Sequence, residues 1–346
     1  MKHYTIILLL PMLLLSQKVF SQLGGSHSHA ILDMKTSARS AALGSGFLSV
    51  RDSDINLAIA NPSLIGGELH NKISLNYINA FNGINSGNVS YGRTFTNVGS
   101  FVASMQYINY GSFDRYTEEE VAEGTFRASD LLLSVGWGRW LDSNFSIGTT
   151  VKPLFSVYES YSSIALAVDV AGNYVSNDRT FSISLLARNI GAQLKTFDGS
   201  NEKVPFELAL GLSKKLSNAP FRFYFNATNL QKWNLRYEDP LFPSTTIDME
   251  GNVQETSKGA IFFDNLFRHT SAGVELVTKS FFVRLGYNYR QSQEAKVTSG
   301  LNFSGFGYGF GFRIKKFEIS YARNNYHLGQ APNFITISSD LSLFMK

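Results

Sequence analysis

The sequence predicts an all-β fold, an antiparallel transmembrane β-barrel of about 14 strands with an N-terminal hatch in its lumen. Three observations carry this. From Lys72 onward, segments of roughly ten residues alternate apolar and polar side chains and then break at a turn. The links between them alternate in length, short then long. The composition has 28 Phe, 16 Tyr and 29 Gly against 17% charged residues, which suits a sheet with lipid on one side.

The chain opens Met1-Lys2-His3-Tyr4, continues with an apolar run from Ile6 to Leu15, and reaches Val19-Phe20-Ser21-Gln22. That pattern predicts a secretory signal peptide over 1–21. The run is shorter than the roughly 20 apolar residues of a spanning helix, and no later stretch approaches that length, so strands must do the crossing. Cysteine is absent and the net charge of +4 is dispersed, which gives neither a disulfide framework nor the clustered basic face of a nucleic-acid binder.

Residues 22–71 do not alternate. They hold Ser37-Ala38-Arg39-Ser40-Ala41-Ala42-Leu43-Gly44, then Asp52-Ser53-Asp54 before Ile55-Asn56-Leu57-Ala58-Ile59-Ala60, and Asn61-Pro62. The Asp-Ser-Asp group can cap a short helix and Asn-Pro can end one. This segment is the expected hatch, and 72–346 the barrel.

Within the barrel, Phe221, Phe223 and Phe225 oppose Arg222, Tyr224 and Asn226, and Val283, Leu285 and Tyr287 oppose Arg284, Gly286 and Asn288. Strands are expected to start near Lys72, Ser86, Gly99, Ala128, Phe145, Ser163, Thr180, Pro205, Pro220, Arg268, Phe281, Phe303, Phe317 and Asn333. An even number returns both chain ends to the periplasm. Tight links fall at Thr96-Asn97-Val98, Asp142-Ser143-Asn144, Ser176-Asn177-Asp178, Ser217-Asn218-Ala219, Thr278-Lys279 and Lys315-Lys316. The intervening links, such as Asp114–Arg127, Gly191–Val204, Gln231–Phe267 and Gln291–Asn302, read as outer loops. A soluble β-sandwich has no reason to sort its loops by parity. Its polar face would carry Lys and Glu, whereas here it carries Ser, Gly, Ala and Asn, including Ser74, Asn76, Ser134, Gly136, Gly138, Gly148, Gly211 and Gly286.

No catalytic constellation stands out. There is no Gly-x-Ser-x-Gly elbow, His-Glu-x-x-His motif or P-loop, and no metal or cofactor is expected. Gly305, Gly307, Gly309 and Gly311 recur at every second residue, so they share one strand face and read as close packing rather than a phosphate loop. His27 and His29 are expected on a mobile, solvated N-terminus. His70, His269 and His327 fall near strand ends, and Glu118-Glu119-Glu120 in an outer loop.

The Ser37–Gly44 run, with Asp52, Asp54 and Asn61-Pro62-Ser63, resembles the N-terminal hatch motif of fatty-acid-transporter-like outer-membrane barrels. Further segments resemble the PorQ family of the type IX secretion system of the Bacteroidota. These are Gly211–Leu216, Ala219–Phe223, Leu230-Gln231-Lys232-Trp233-Asn234-Leu235, Tyr237-Glu238-Asp239-Pro240, Leu285–Arg290, and Tyr321-Ala322-Arg323 with Tyr326-His327. The resemblance spans nearly the whole mature chain. It implies a 14-stranded barrel in the outer membrane of a Gram-negative bacterium. That barrel would anchor a PorZ-like surface protein beside PorU and PorV, in the machinery that fixes cargo to lipopolysaccharide. Arg39, Gly44, Asp52, Asp54, Asn61 and Pro62 become structural hatch residues, and no catalytic residue carries over. The longest outer loop, Gln231–Phe267, is the expected docking site for the partner. The rival expectation is a transporter of hydrophobic small molecules, which needs an apolar pocket and an exit path. A surface adhesin would rest on the long loops alone.

Overall fold

A computed structural model of the chain describes residues 29–44, 48–80, 83–117, 121–236, 246–247, 253–254, 257–295, 303–325 and 331–345. The expected signal peptide, His27, Glu118-Glu119-Glu120, His327 and the middle of the Gln231–Phe267 loop lie outside these residues.

The barrel strands are β1 (Lys72–Asn79), β2 (Asn85–Phe95), β3 (Gly99–Tyr116), β4 (Ala122–Trp140), β5 (Phe145–Tyr158), β6 (Tyr161–Val175), β7 (Phe181–Lys195), β8 (Glu207–Lys215) and β9 (Phe221–Ala227). They continue after a loop hairpin, β10 (Thr246–Ile247) with β11 (Val253–Gln254), as β12 (Thr270–Val277), β13 (Phe281–Asn288), β14 (Phe306–Ile314), β15 (Phe317–Asn324) and β16 (Asn333–Asp340). All barrel pairings are antiparallel between successive barrel strands, and β1 closes the ring on β16 with Lys72 opposite Asp340 and Asn79 opposite Asn333. The chain is therefore a closed barrel of 14 strands. Closure leaves no sheet edge, the condition for strands to live in lipid. No helix among the described residues is long and apolar enough to cross a membrane.

Alternation sets the two faces. In β14, Phe306, Tyr308, Phe310 and Phe312 are exposed on the outside while Gly307, Gly309 and Gly311 are buried on the inside. In β9, Phe221, Phe223 and Phe225 point out and Tyr224 and Asn226 are buried. One end of the barrel has only tight links, and both β1 and β16 end there. The opposite end carries the longer connections, apart from the short β1–β2 link at 80–84 and two further cases. Glu159-Ser160 joins β5 to β6 in a tight turn. The expected loop Asp114–Arg127 is largely strand: β3 and β4 continue as a two-stranded arm, with Ser112 opposite Arg127 and Phe113 stacked on Phe126 at 5.3 Å. The arm residues are exposed on both faces, so nothing demands alternation there and the periodic signal disappears.

Residues 30–69 form short helical turns. They include α1 (Ala38–Ala42) and α2 (Ile55–Ala60), with single 3-10 turns at Ala30–Asp33, Pro62–Leu64 and Gly67–Leu69. Two further helices lie in outer loops, α3 (Lys258–Arg268) before β12 and α4 (Tyr289–Glu294) after β13.

Candidate functional site

The N-terminal segment contacts inward-facing residues of strands around the ring. Its small residues explain how it fits. Ser37 caps α1 by accepting the Ser40 amide, and the Ala38 amide donates to Thr336 Oγ1 on β16 at 2.9 Å. Ala41 and Ala42 then lie against β14. A Cβ on Gly307 would come within 2.5 Å of the Ala41 carbonyl oxygen, and one on Gly309 within 2.8 Å of the Ala42 methyl. On the far wall, a Cβ on Gly138 would lie 2.6 Å from the Ile65 carbonyl oxygen, and one on Gly211 2.7 Å from Leu48 Cβ. The wall glycines are thus places where segment backbone and barrel backbone meet. The alternating glycines of β14 serve this packing, as their spacing predicts, with Gly311 making room for the buried Phe282 ring.

The hatch-motif residues divide between two places. Arg39, Asp52 and Asp54 come together at β9, β12 and β13. Arg39 donates from Nε to Glu275 Oε1 and from Nη2 to Glu275 Oε2, both at 2.8 Å. It also reaches Asp52 Oδ2 at 2.9 Å and Asp54 Oδ2 at 3.1 Å. Arg222 bridges Asp52 and Glu275 at 3.1 and 3.2 Å, and Arg284 meets Glu275 at 2.7 Å. Arg39, Arg222 and Arg284 face Asp52, Asp54 and Glu275, so the charges balance. Glu275 is 0% exposed and Arg39 4%. Burial by itself raises the Asp52 carboxyl, but Arg39 and Arg222 outweigh it and hold it well below the usual carboxylate range. Asp54 also caps α2 by accepting the Asn56 amide at 3.0 Å.

Gly44, Asn61 and Pro62 act elsewhere. Gly44 ends the α1 turn at φ 76°, a left-handed conformation that favours glycine, and it passes 3.2 Å (measured from an added Cβ) from the Tyr287 backbone. Next to it, the Tyr224 hydroxyl donates to the Leu43 carbonyl. Asn61 accepts the Ser63 amide at 2.9 Å and donates to the Leu48 carbonyl at 2.5 Å, tying two stretches of the segment together. Pro62 sits over Gly148, where any Cβ would collide with its carbonyl. Beside it Arg51 donates to the Ser63 carbonyl and Ser146 Oγ at 2.9 and 3.0 Å, pairs with Glu68 at 2.7 Å, and lies 4.0 Å above the Trp140 ring.

A second charged cluster was not legible in the sequence. Lys152 meets Asp169 at 2.7 Å and Asn189 Oδ1 at 2.5 Å, Asp169 accepts the Asn189 amide at 2.8 Å, and Arg188 pairs with Glu207. Asn189 stands at φ 57° where the β6–β7 register shifts, and its Nδ2 donates to Asp33 of the segment at 3.2 Å. Glu275, Arg222, Arg284 and Lys152 each occupy an inward strand position. A charged residue on an otherwise Ser/Gly face was the available signal.

The histidines correct one expectation. His29 is fully buried rather than solvated, because the segment is already packed against the barrel at that point. His70 Nδ1 accepts the Thr94 amide at 3.1 Å, and His269 lies between the carbonyls of Thr228 and Trp233 at 2.7 and 3.1 Å. These are architectural roles.

The Gln231–Phe267 loop presents α3. Its inner face is polar. Asp264 receives Arg268 at 2.9 Å, Arg236 at 3.4 Å and the Tyr289 hydroxyl at 3.1 Å, and buried Asn265 accepts the Leu235 amide at 3.3 Å. Its outer face carries Phe262, Phe263, Leu266 and Phe267, all exposed, with Trp233 5.2 Å from Phe262. A cleft of about 360 Å³ at the root of the β3–β4 arm is lined by Arg115, Arg127 and Glu159 together with Phe126 and Val157.

No protein-family model and no curated protein sequence matches the chain. Solved structures do. The chain is similar to the toluene transporter TbuX of Ralstonia pickettii, with 10% identity, 89% of this chain and 99% of that chain covered, and a TM-score of 0.52. It is also similar to the toluene transporter TodX of Pseudomonas putida, with 12% identity, 89% and 99% covered, and a TM-score of 0.51. At such identities the likeness is one of fold. The chain is a multi-pass outer-membrane β-barrel.

Proposed function

We propose that this barrel is a membrane scaffold whose lumen is held shut by its own N-terminal segment, and that its outer rim docks a surface protein. On the PorQ resemblance, the partner is a PorZ-like protein of the type IX attachment complex, working with PorU and PorV near lipopolysaccharide. The observation that carries this reading is the Arg39–Glu275 bridge and the balanced cluster around it, which fasten the segment to β9, β12 and β13. Chemistry, on this reading, belongs to the partners. The docking loop proposed is Gln231–Phe267.

The second reading is passive transport of small hydrophobic molecules. The comparisons favour it, since both solved neighbours quoted above are toluene transporters. Fold alone does not transfer a cargo, and the wall here is small, polar and occupied. Deleting the gene and following both secreted cargo and uptake of a hydrophobic compound separates the two. Cargo released into the medium with normal uptake supports the scaffold. Retained cargo with lost uptake supports transport and overturns it.

A further inference from the structure

Helix α3 is inside-out for a soluble surface helix. Its polar side faces the protein, where Asp264 gathers Arg236, Arg268 and Tyr289. Its phenylalanines face away, with Phe262 50% and Phe263 56% exposed, while Asn265 is 4% exposed. An amphipathic helix in water turns the opposite way.

The strands around it are short. β9 has 7 residues, the fewest of any barrel strand, and β12 and β13 have 8 each, as do β1, β15 and β16. A spanning strand needs about 9–11 residues. Seven residues at about 3.3 Å give about 23 Å of chain, or about 18 Å of height at a tilt near 40°, against an apolar band of about 25 Å. Loop residues above these strands therefore stand at membrane depth. The outward aromatic surface also runs on without a break. Tyr287 of β13 lies 4.6 Å from Phe306, and Tyr289, two residues further on, lies 5.7 Å from Phe267 of α3. Phe303, just before β14, is exposed as well.

We infer that α3 lies in the outer leaflet, with Phe262, Phe263, Leu266, Phe267 and Trp233 completing the lipid-facing band where the strands fall short. The occupant of the aromatic face is the acyl–headgroup boundary of the membrane. Lys258, exposed at the start of the helix, is the cation placed to meet anionic headgroups at its border. The inference does not depend on which functional reading holds. Within the Gln231–Phe267 loop, it leaves the stretch between Trp233 and α3 for a partner.

The absence of cysteine makes the test direct, because one introduced thiol is a unique label. The full chain carrying Phe263→Cys, labelled with a polarity-sensitive fluorophore, is placed in phosphatidylcholine vesicles and exposed to nitroxide-labelled lipid or aqueous iodide. Val283→Cys on β13 is the lipid-facing control and Val121→Cys at the arm the aqueous one. Loss of emission to the nitroxide matching position 283, with protection from iodide relative to position 121, is the expected result. Quenching by iodide as at position 121 overturns the inference. Resistance to both quenchers, which means protein covers the face, overturns it too. Heat-modifiable migration on gels verifies folding. Phe262→Cys, and Trp233 emission in a W137F/W140F chain, give the same reading if Phe263→Cys does not fold.

Discussion

Arg39 of the N-terminal segment and Glu275 of β12 meet through two parallel hydrogen bonds of 2.8 Å, although 236 positions separate them in sequence. A two-pronged guanidinium–carboxylate contact adds direction as well as charge. Glu275 is completely buried and would be left uncompensated without its arginines.

Removing one partner should therefore free the segment without dissolving the barrel. Arg39→Met is expected to cost about 3–5 kcal/mol of segment docking, the usual penalty for breaking a buried ion pair from one side. Limited proteolysis of residues 29–71, with the barrel scored by heat-modifiable migration, measures it. The double change Arg39→Met with Asp54→Asn should be milder than Arg39→Met alone, because Asp54 loses its ion-pair partner with Arg39 while Glu275 keeps Arg222 and Arg284. Equal cleavage of wild type and Arg39→Met would refute the brace.

The wall glycines make a steric prediction. Gly138→Val places side-chain atoms where the Ile65 and Pro62 carbonyls now lie, so the segment must shift and its protease sensitivity must rise. Gly172→Ala on β6 meets open space and should leave the segment protected. Matching behaviour of the two variants would contradict close backbone packing at Gly138.

Acid should act on the brace in a defined window. Arg39 and Arg222 hold the Asp52 carboxyl below its usual range despite burial, so Asp52 stabilises the docked segment at any pH above its unfolded value near about 3.9. That contribution is lost as pH falls through the depressed value. Hydrogen-exchange protection of the segment amides, measured at each pH and corrected for the intrinsic exchange rate, should be flat from neutrality down to about pH 4 and decline below it. Asp52→Asn should lower protection at neutral pH and remove the acid step. A step centred at neutral pH would point to a different group.

Asn61 holds two stretches of the segment with one side chain, capping the Pro62–Leu64 turn while donating to Leu48. Asn61→Ala should cost about 0.5–2 kcal/mol in the turn, from the lost cap, and more where the Leu48 carbonyl stays buried. Hydrogen exchange at the Ser63 and Leu64 amides reads this locally.

Much of the barrel was legible because lipid enforces a period of two. The Phe/Gly alternation of β14 and the Phe/polar alternation of β9 are that constraint written out, and the tight links place their turns within a residue or two. Legibility ends where the constraint does. The arm strands over 110–116 and 122–127 are exposed on both faces, so Glu123 and Gly124 read as loop although they are strand. Helix α3 was read as part of a long loop, since Ile261-Phe262-Phe263-Asp264-Asn265-Leu266-Phe267 points its apolar side outward and its polar side at the protein. In the lumen, Arg39, Asp52 and Asp54 could be singled out as a motif. Their partner Glu275 is one acid in Val274-Glu275-Leu276, and only the ring closure of the barrel brings it to Arg39.

The central claim is that the N-terminal segment, braced through Arg39, closes the lumen. Single-molecule conductance in planar bilayers tests it most directly. The full mature chain should show little steady current, and Arg39→Met should open to a large, lasting conductance as the segment leaves its wall. A large, steady conductance from the intact chain, unchanged by Arg39→Met, would contradict the account.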